Sequence, residues 1–255
     1  MHPVHALILG GVEGLTEFLP ISSTGHLILT SHWLGLHGEA VNTFEVVIQA
    51  GALGAIIGWY RRRIMMMGRQ LLLNLLMSFL PAAMLGVAFH HVIKEQLFRT
   101  QTVVAALALG GIAMILLDRW AKRRPSTLSI EQMSKGQALL IGVWQCLALW
   151  PGMSRAMVTI VGGFMVGLPL TAATEYSFLL ALPTLGAACV FDGVRSGSAF
   201  VHQVGVVSIL IGFVAAAVVA AWVIRWLIPF VSRHGLTPFG WYRLAVAAGV
   251  WFIVR

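Results

Sequence analysis

The sequence predicts an all-α polytopic membrane protein with two inverted repeats, each a re-entrant helical hairpin followed by three transmembrane helices. Composition is the first observation: the 255 residues are 58% hydrophobic and 10% charged, whereas soluble domains have about 25% charged residues. The net charge of +8 would suggest nucleic-acid binding in a soluble protein. Here the basic residues cluster in short loops, the pattern of cytoplasmic loops in membrane proteins, so no nucleic-acid partner is expected.

Internal repetition is the second observation. Similar residues recur in the two halves at a nearly constant separation in sequence. This favours an internal duplication within a single membrane domain, 1–255. The repeats cover approximately 1–118 and 137–255. The matched segments are Gly11-Val12 with Gly142-Val143, Pro20 with Pro151, Ser23 with Ser154, Thr24 with Arg155, and, one residue further on, Leu53-Gly54-Ala55 with Leu185-Gly186-Ala187.

The elements follow from the lengths of the apolar runs. In each half, a proline divides the first run into pieces that are too short to span a bilayer, which needs ~20 residues, so we expect a re-entrant hairpin there. In the first half the hairpin is 4–20 and 23–36, and the spans are 44–60, 70–93 and 101–118. In the second half the hairpin is 137–168, and the spans are 171–192, 205–228 and 240–254, the first two joined by a loop with Arg195.

Three spans per repeat would invert the second copy relative to the first. Both basic loops, 61–69 and 119–135, would then be cytoplasmic. The two hairpins would enter from opposite sides, and their tips would meet near the membrane midplane, as in many transporters.

Two glutamates precede the first proline. Glu13 and Glu17 are four residues apart, so they share one face of a helix. A carboxylate at membrane depth is costly, and the pair therefore implies a cation, an arginine, a proton or a water-filled cavity. Mg²⁺ or Ca²⁺ fits carboxylate and phosphate oxygens; alternatively, one glutamate is protonated and the other pairs with Arg155.

Hydroxyl residues follow the first proline. Ser22, Ser23 and Thr24 are suited to begin a new helix and to bind phosphate there. Ser23 is the candidate nucleophile, and His26, three residues on, is its candidate activating base. The alternatives are that Ser23 is a plain helix cap and that His26 is a satisfied core histidine.

The second break carries a cation. Arg155 has a forked guanidinium that suits phosphate, with Gly152 and Ser154 as further candidates for substrate binding at a helix start. Thr159 either bonds phosphate or bonds its own helix backbone, and Gln145 is a candidate for orienting a group. The alternative for Arg155 is a structural ion pair with a glutamate.

These motifs resemble a known family. EGLTEFLPISSTGH at 13–26 and PGMSR followed by Thr159 resemble the two signature motifs of the bacitracin-resistance family of undecaprenyl-diphosphate phosphatases. Three further segments resemble that family: FEVVIQAGALGAI at 44–56, TEYSFLLALP at 174–183, and Tyr242-Arg243. One difference is Ala156-Met157, where the family usually has Ser-Gly.

The resemblance implies hydrolysis of undecaprenyl diphosphate to undecaprenyl phosphate and inorganic phosphate. This reaction recycles the lipid carrier of peptidoglycan synthesis and confers bacitracin resistance. The implied location is the bacterial inner membrane, with an active site facing the periplasm; a monomer and a homodimer are both open. The rival function is a transporter or polyprenyl-phosphate flippase with the same architecture, and a purely structural subunit would not explain two intramembrane glutamates.

Overall fold

The computed structural model of the protein describes residues 1–89, 100–121 and 127–254. All regular secondary structure within these residues is helical, which confirms the predicted all-α class. The end of the predicted span 70–93 and part of the second basic loop lie outside the described residues.

The first half begins with the predicted hairpin. Two short helices, α1 and α2, flank a non-helical break around Pro20 and pack against each other. The described helices of this half are α1 Pro3–Thr16, α2 Ser23–Trp33, α3 Glu39–Trp59, α4 Arg61–Met65, α5 Arg69–Ala88 and α6 Thr100–Ala121.

The second half also begins with the predicted hairpin. Its hairpin is α7 and α8, separated by a short 3₁₀ helix and a break at Pro151-Gly152. A capping box between Ser134 and Gln137 starts α7. The helices are α7 Lys135–Gln145, 3₁₀ Cys146–Leu149, α8 Arg155–Met165, α9 Leu170–Val204, α10 Val206–His234 and α11 Thr237–Val254.

The predicted loop around Arg195 is wrong. Helix α9 continues through this position to Val204, and the chain turns at Gly205, whose φ is +85°. Glycine adopts this left-handed conformation without a steric penalty, whereas a single charged residue does not end a helix.

Five helices within the described residues are long and apolar enough to cross a membrane. They are Glu39–Trp59, Arg69–Ala88, Gln101–Trp120, Leu170–Phe191 and Val206–His234. The sixth predicted span, 240–254, lies within α11. These helices establish a multi-pass membrane protein, and the inverted orientation of its two halves stays a prediction.

We expect labelling from outside the cell to show that the two ends of α3 lie on opposite sides of the membrane. A cysteine at the exposed His37, in a background with Cys146 and Cys189 replaced by alanine, should react with an impermeant maleimide. A cysteine at the exposed Met66 should react only after permeabilisation, because it lies in the basic loop. His37 is preferable to Gly38, whose φ of +103° disfavours a side chain. Labelling of both cysteines in intact cells would contradict the predicted topology.

The described chain forms two compact units, and each takes helices from both sequence halves. Unit 1 comprises 1–18, 23–65 and 181–226, and unit 2 comprises 19–22, 66–180 and the chain from 227 onward. In unit 1, helices pack without intervening side chains: a Cβ on Gly10 or Gly51 would collide with a backbone carbonyl of α10. Such contacts between small residues are typical of membrane helices.

Candidate active site

The two glutamates of the first hairpin lie at the end of α1. The Glu17 N–H donates to the Glu13 carbonyl over 2.9 Å, so helical geometry continues to Glu17. This confirms that both carboxylates lie on one helix face. Glu13 is 0% exposed and Glu17 is 6% exposed. Burial makes a negative charge on either carboxylate costly unless a cation, a proton or a hydrogen-bond donor offsets it.

Ser23 forms a short hydrogen bond with one of these glutamates. Its Oγ donates to Glu17 Oε2 over 2.5 Å, and both side chains are buried. This length lies in the range of a hydroxyl bonded to a carboxylate. Glu17 is therefore placed to accept the Ser23 proton directly, a contact that the sequence analysis did not anticipate. His26 is half-buried one turn further along α2, and its role as a base stays a prediction.

A left-handed serine immediately precedes the second helix of each hairpin. Ser22 has φ +75° and Ser154 φ +70°, and they are the non-glycine residues with positive φ in the described chain. Such conformations cost of order 1–3 kcal/mol and cluster at functional sites. Ser154 caps α8 by accepting the Met157 N–H over 3.2 Å, as predicted for a serine at a helix start.

This shared conformation corrects the alignment of the repeats at the breaks. Ser22, rather than Ser23, corresponds to Ser154, so Ser23 corresponds to Arg155. The separation in sequence between Ser22 and Ser154 equals that between Gly54 and Gly186. It is one residue longer than the separation between Pro20 and Pro151. Each helix therefore begins, directly after a left-handed serine, with a residue that the sequence predicts to be functional.

In unit 2, Arg155 is held by a serine that the sequence analysis missed. Its Nη1 donates to the Ser177 carbonyl over 3.0 Å and lies 3.4 Å from Ser177 Oγ. Ser177 Oγ is also 2.7 Å from Thr159 Oγ1. Ser177 lies in the TEYSFLLALP segment, and its completely buried hydroxyl orients the arginine. The sequence signal was a polar residue within an apolar span.

Thr159 and Gln145 make structural contacts. Thr159 is completely buried, and its hydroxyl donates to the Arg155 carbonyl over 2.8 Å, which is the back-bonding alternative. Gln145 Nε2 donates to the Ser78 carbonyl over 3.3 Å, and Ser78 Oγ contacts the Tyr176 hydroxyl over 2.8 Å. Substrate contacts for Thr159 and Gln145 stay predictions, as they do for the half-buried Thr24 and for Gly152.

The two glutamates at the first break fit a divalent cation that is also bound by the phosphates of a substrate. Groups of three or more His, Cys, Asp or Glu side chains suited to hold a metal are not found among the described residues. Mg²⁺, however, is commonly bound through one or two carboxylates together with substrate phosphates. Glu13 and Glu17 supply two such carboxylates on one face.

Together, the helices and the buried serine–carboxylate contact define an integral membrane protein with a buried polar site. The model of the family described as bacitracin resistance protein BacA matches residues 6–249. The chain belongs to this family, which confirms the resemblance drawn from its motifs.

Similar proteins extend over nearly the whole chain. The undecaprenyl-diphosphatase of Sorangium cellulosum is 46% identical, covering 95% of this chain and 83% of the relative. Undecaprenyl-diphosphatase 1 of Stutzerimonas stutzeri is 43% identical, covering 94% and 90%. The undecaprenyl-diphosphatase of Deinococcus radiodurans is 46% identical, covering 95% and 92%.

Proposed function

We propose that this protein hydrolyses undecaprenyl diphosphate to undecaprenyl phosphate and inorganic phosphate. The 2.5 Å contact between Ser23 Oγ and Glu17 Oε2 is the observation that carries this conclusion, because it places a nucleophile beside a proton acceptor. Family membership and the relatives' names point to the same reaction. The test is phosphate release from undecaprenyl diphosphate by purified protein in detergent, where a transporter or flippase would give none.

The first chemical step is a transfer to serine. Ser23 Oγ forms a bond to the terminal phosphorus while the bond from that phosphorus to the bridging oxygen breaks, and undecaprenyl phosphate leaves. The Ser23 proton passes to Glu17 Oε2, along the existing hydrogen bond. From its motif, Arg155 is predicted to bind the phosphoryl oxygens, through the bidentate geometry that suits a guanidinium.

The second step restores the enzyme. Water attacks the phosphoserine, the bond from Oγ to phosphorus breaks, and inorganic phosphate leaves. Glu17 returns the proton to Ser23. The competing mechanism is direct attack by water on the diphosphate, with Ser23 serving only to bind substrate.

A divalent cation would complete the electrostatics of the site. Glu13 and Glu17 would hold Mg²⁺ or Ca²⁺, and the ion would neutralise charge on the diphosphate. Without a cation, two ionised carboxylates one helical turn apart would repel each other.

We therefore expect chelation to abolish activity. Treatment with EDTA followed by its removal should leave protein that releases little phosphate, and Mg²⁺ or Ca²⁺ should restore release. Glu13→Gln should need a higher metal concentration for half-maximal activity, because one ligand is lost. Full activity of the metal-stripped protein in excess EDTA would contradict the metal role.

The chemistry of the substrate also suggests a location. A long isoprenoid remains in the bilayer while its diphosphate reaches a polar site at membrane depth. On the family resemblance, the expected location is the bacterial cytoplasmic membrane, with the active site open to the periplasm.

A further inference from the structure

Arg243 is a completely buried arginine in helix α11 of unit 2. It makes five hydrogen bonds, all to backbone carbonyl oxygens, which uses every N–H donor that a guanidinium has. No donor is left for a substrate phosphate. The bonds run from Nε to Leu107 (3.2 Å), from Nη1 to Pro20 (3.2 Å) and Met153 (3.1 Å), and from Nη2 to Ala106 (2.9 Å) and Gly152 (2.7 Å).

The five carbonyls come from three places in the chain. Ala106 and Leu107 belong to α6, which anchors the guanidinium. Pro20 lies in the first hairpin break, whereas Gly152 and Met153 lie in the second. Buried carbonyls in non-helical backbone need a hydrogen-bond donor. The Arg243 side chain supplies donors to carbonyls in both breaks.

The two breaks are held at equivalent points. Pro20 is two residues before the left-handed Ser22, and Gly152 is two residues before the left-handed Ser154. The residues that follow these serines are Ser23 and Arg155. A guanidinium bonded to both carbonyls therefore controls the backbone that leads into the nucleophile and the backbone that leads into the phosphate-binding arginine.

We infer that Arg243 is a positioning residue for the reaction: it ties the two hairpin breaks together and fixes the backbone entering Ser23 and Arg155. This inference rests on the proposed function. It assigns to the last helix a part in catalysis that requires no contact with substrate.

The surrounding structure is fitted to a guanidinium. A Cβ on Gly110 would collide with Nη2 of Arg243, so α6 needs a glycine at this point. Lysine has three donors on one nitrogen, so Arg243→Lys would satisfy at most three of the five carbonyls while keeping the charge. Gly110→Ala would displace the guanidinium without altering it.

Both variants test the inference in the detergent assay. We expect kcat per folded molecule to fall about a hundredfold in each, the size of effect that small misplacements of reacting groups produce, with KM within about threefold of wild type. The kcat of the double variant should be about that of the less active single variant, because the two substitutions break one interaction.

The matched control is Asp118→Asn, on the same pair of helices. Asp118 accepts bonds from the Leu236 N–H over 3.2 Å and from Thr237 Oγ1 over 2.6 Å at the start of α11. Its loss should lower the melting temperature with kcat unchanged, as expected for a purely structural contact.

Unchanged kcat in both Arg243→Lys and Gly110→Ala would overturn the inference, and so would a raised KM at constant kcat, which would indicate substrate binding. If Arg243→Lys does not fold, Gly110→Ala decides the question alone. The wild-type protein in the same assay separates the two proposals: no phosphate release removes the proposed function, whereas active wild type with unaffected variants removes only the role of Arg243.

Discussion

We expect Ser23→Ala to lower phosphate release from undecaprenyl diphosphate by about a thousandfold or more, the scale of losing a nucleophile that works as a unit with its base. The alanine variant retains the helix and the break but has no oxygen to attack phosphorus. The measurement is kcat in detergent with purified protein. The matched control is Ser31→Ala, because Ser31 lies on the same helix and also donates to a carboxylate, Glu45 Oε1, over 2.6 Å. Its activity should stay within severalfold of wild type.

The same assay identifies the base. At a Mg²⁺ concentration that saturates the variants, Glu17→Gln combined with Ser23→Ala should be no worse than Ser23→Ala alone, because the proton acceptor has no purpose without the nucleophile. If His26 is the base instead, His26→Ala will show this non-additivity and Glu17→Gln will not.

Stereochemistry at phosphorus tests the covalent step itself. A phosphoserine route involves two in-line displacements, so a substrate with a chiral thiophosphate should give product with retained configuration. Inversion would contradict the phosphoserine and reduce Ser23 to a binding residue.

We expect Arg155→Lys to lower kcat by roughly a hundredfold to a thousandfold, the effect of removing one donor that stabilises transition-state charge. Lysine keeps the charge but lacks the planar fork that binds two phosphoryl oxygens. It would also lose the geometry in which Nη1 bonds the Ser177 carbonyl. The control is Arg225→Lys, the same substitution at an exposed arginine, which should be nearly silent. Activity of Arg155→Lys near that of wild type would show that charge alone matters at this position.

The helices and the hairpins were predictable because their signals are local. Pro20 and Pro151 interrupt apolar runs, and the serines after them are helix-capping types, so the breaks follow from propensity alone. The end of α9 was missed because the charge of Arg195 suggested a loop, while the glycine at 205 carried the actual turn.

The contacts of the site were less predictable. The bond between Ser23 and Glu17 depends on the path of the chain through the break, which residue spacing does not determine. Spacing instead favoured His26, one helical turn away. Ser177 and Arg243 are distant in sequence from the residues that they serve, and only the folded chain reveals that one holds a side chain and the other holds backbone carbonyls.

The left-handed serines change how an alanine scan of this protein should be interpreted. At Ser22 and Ser154, alanine removes a hydroxyl and leaves a Cβ in a backbone conformation that such residues rarely adopt. A loss of activity there would combine two effects, one chemical and one conformational. Glycine removes the same hydroxyl and accepts the conformation, so the difference between the alanine and glycine variants at each serine measures the contribution of the backbone alone.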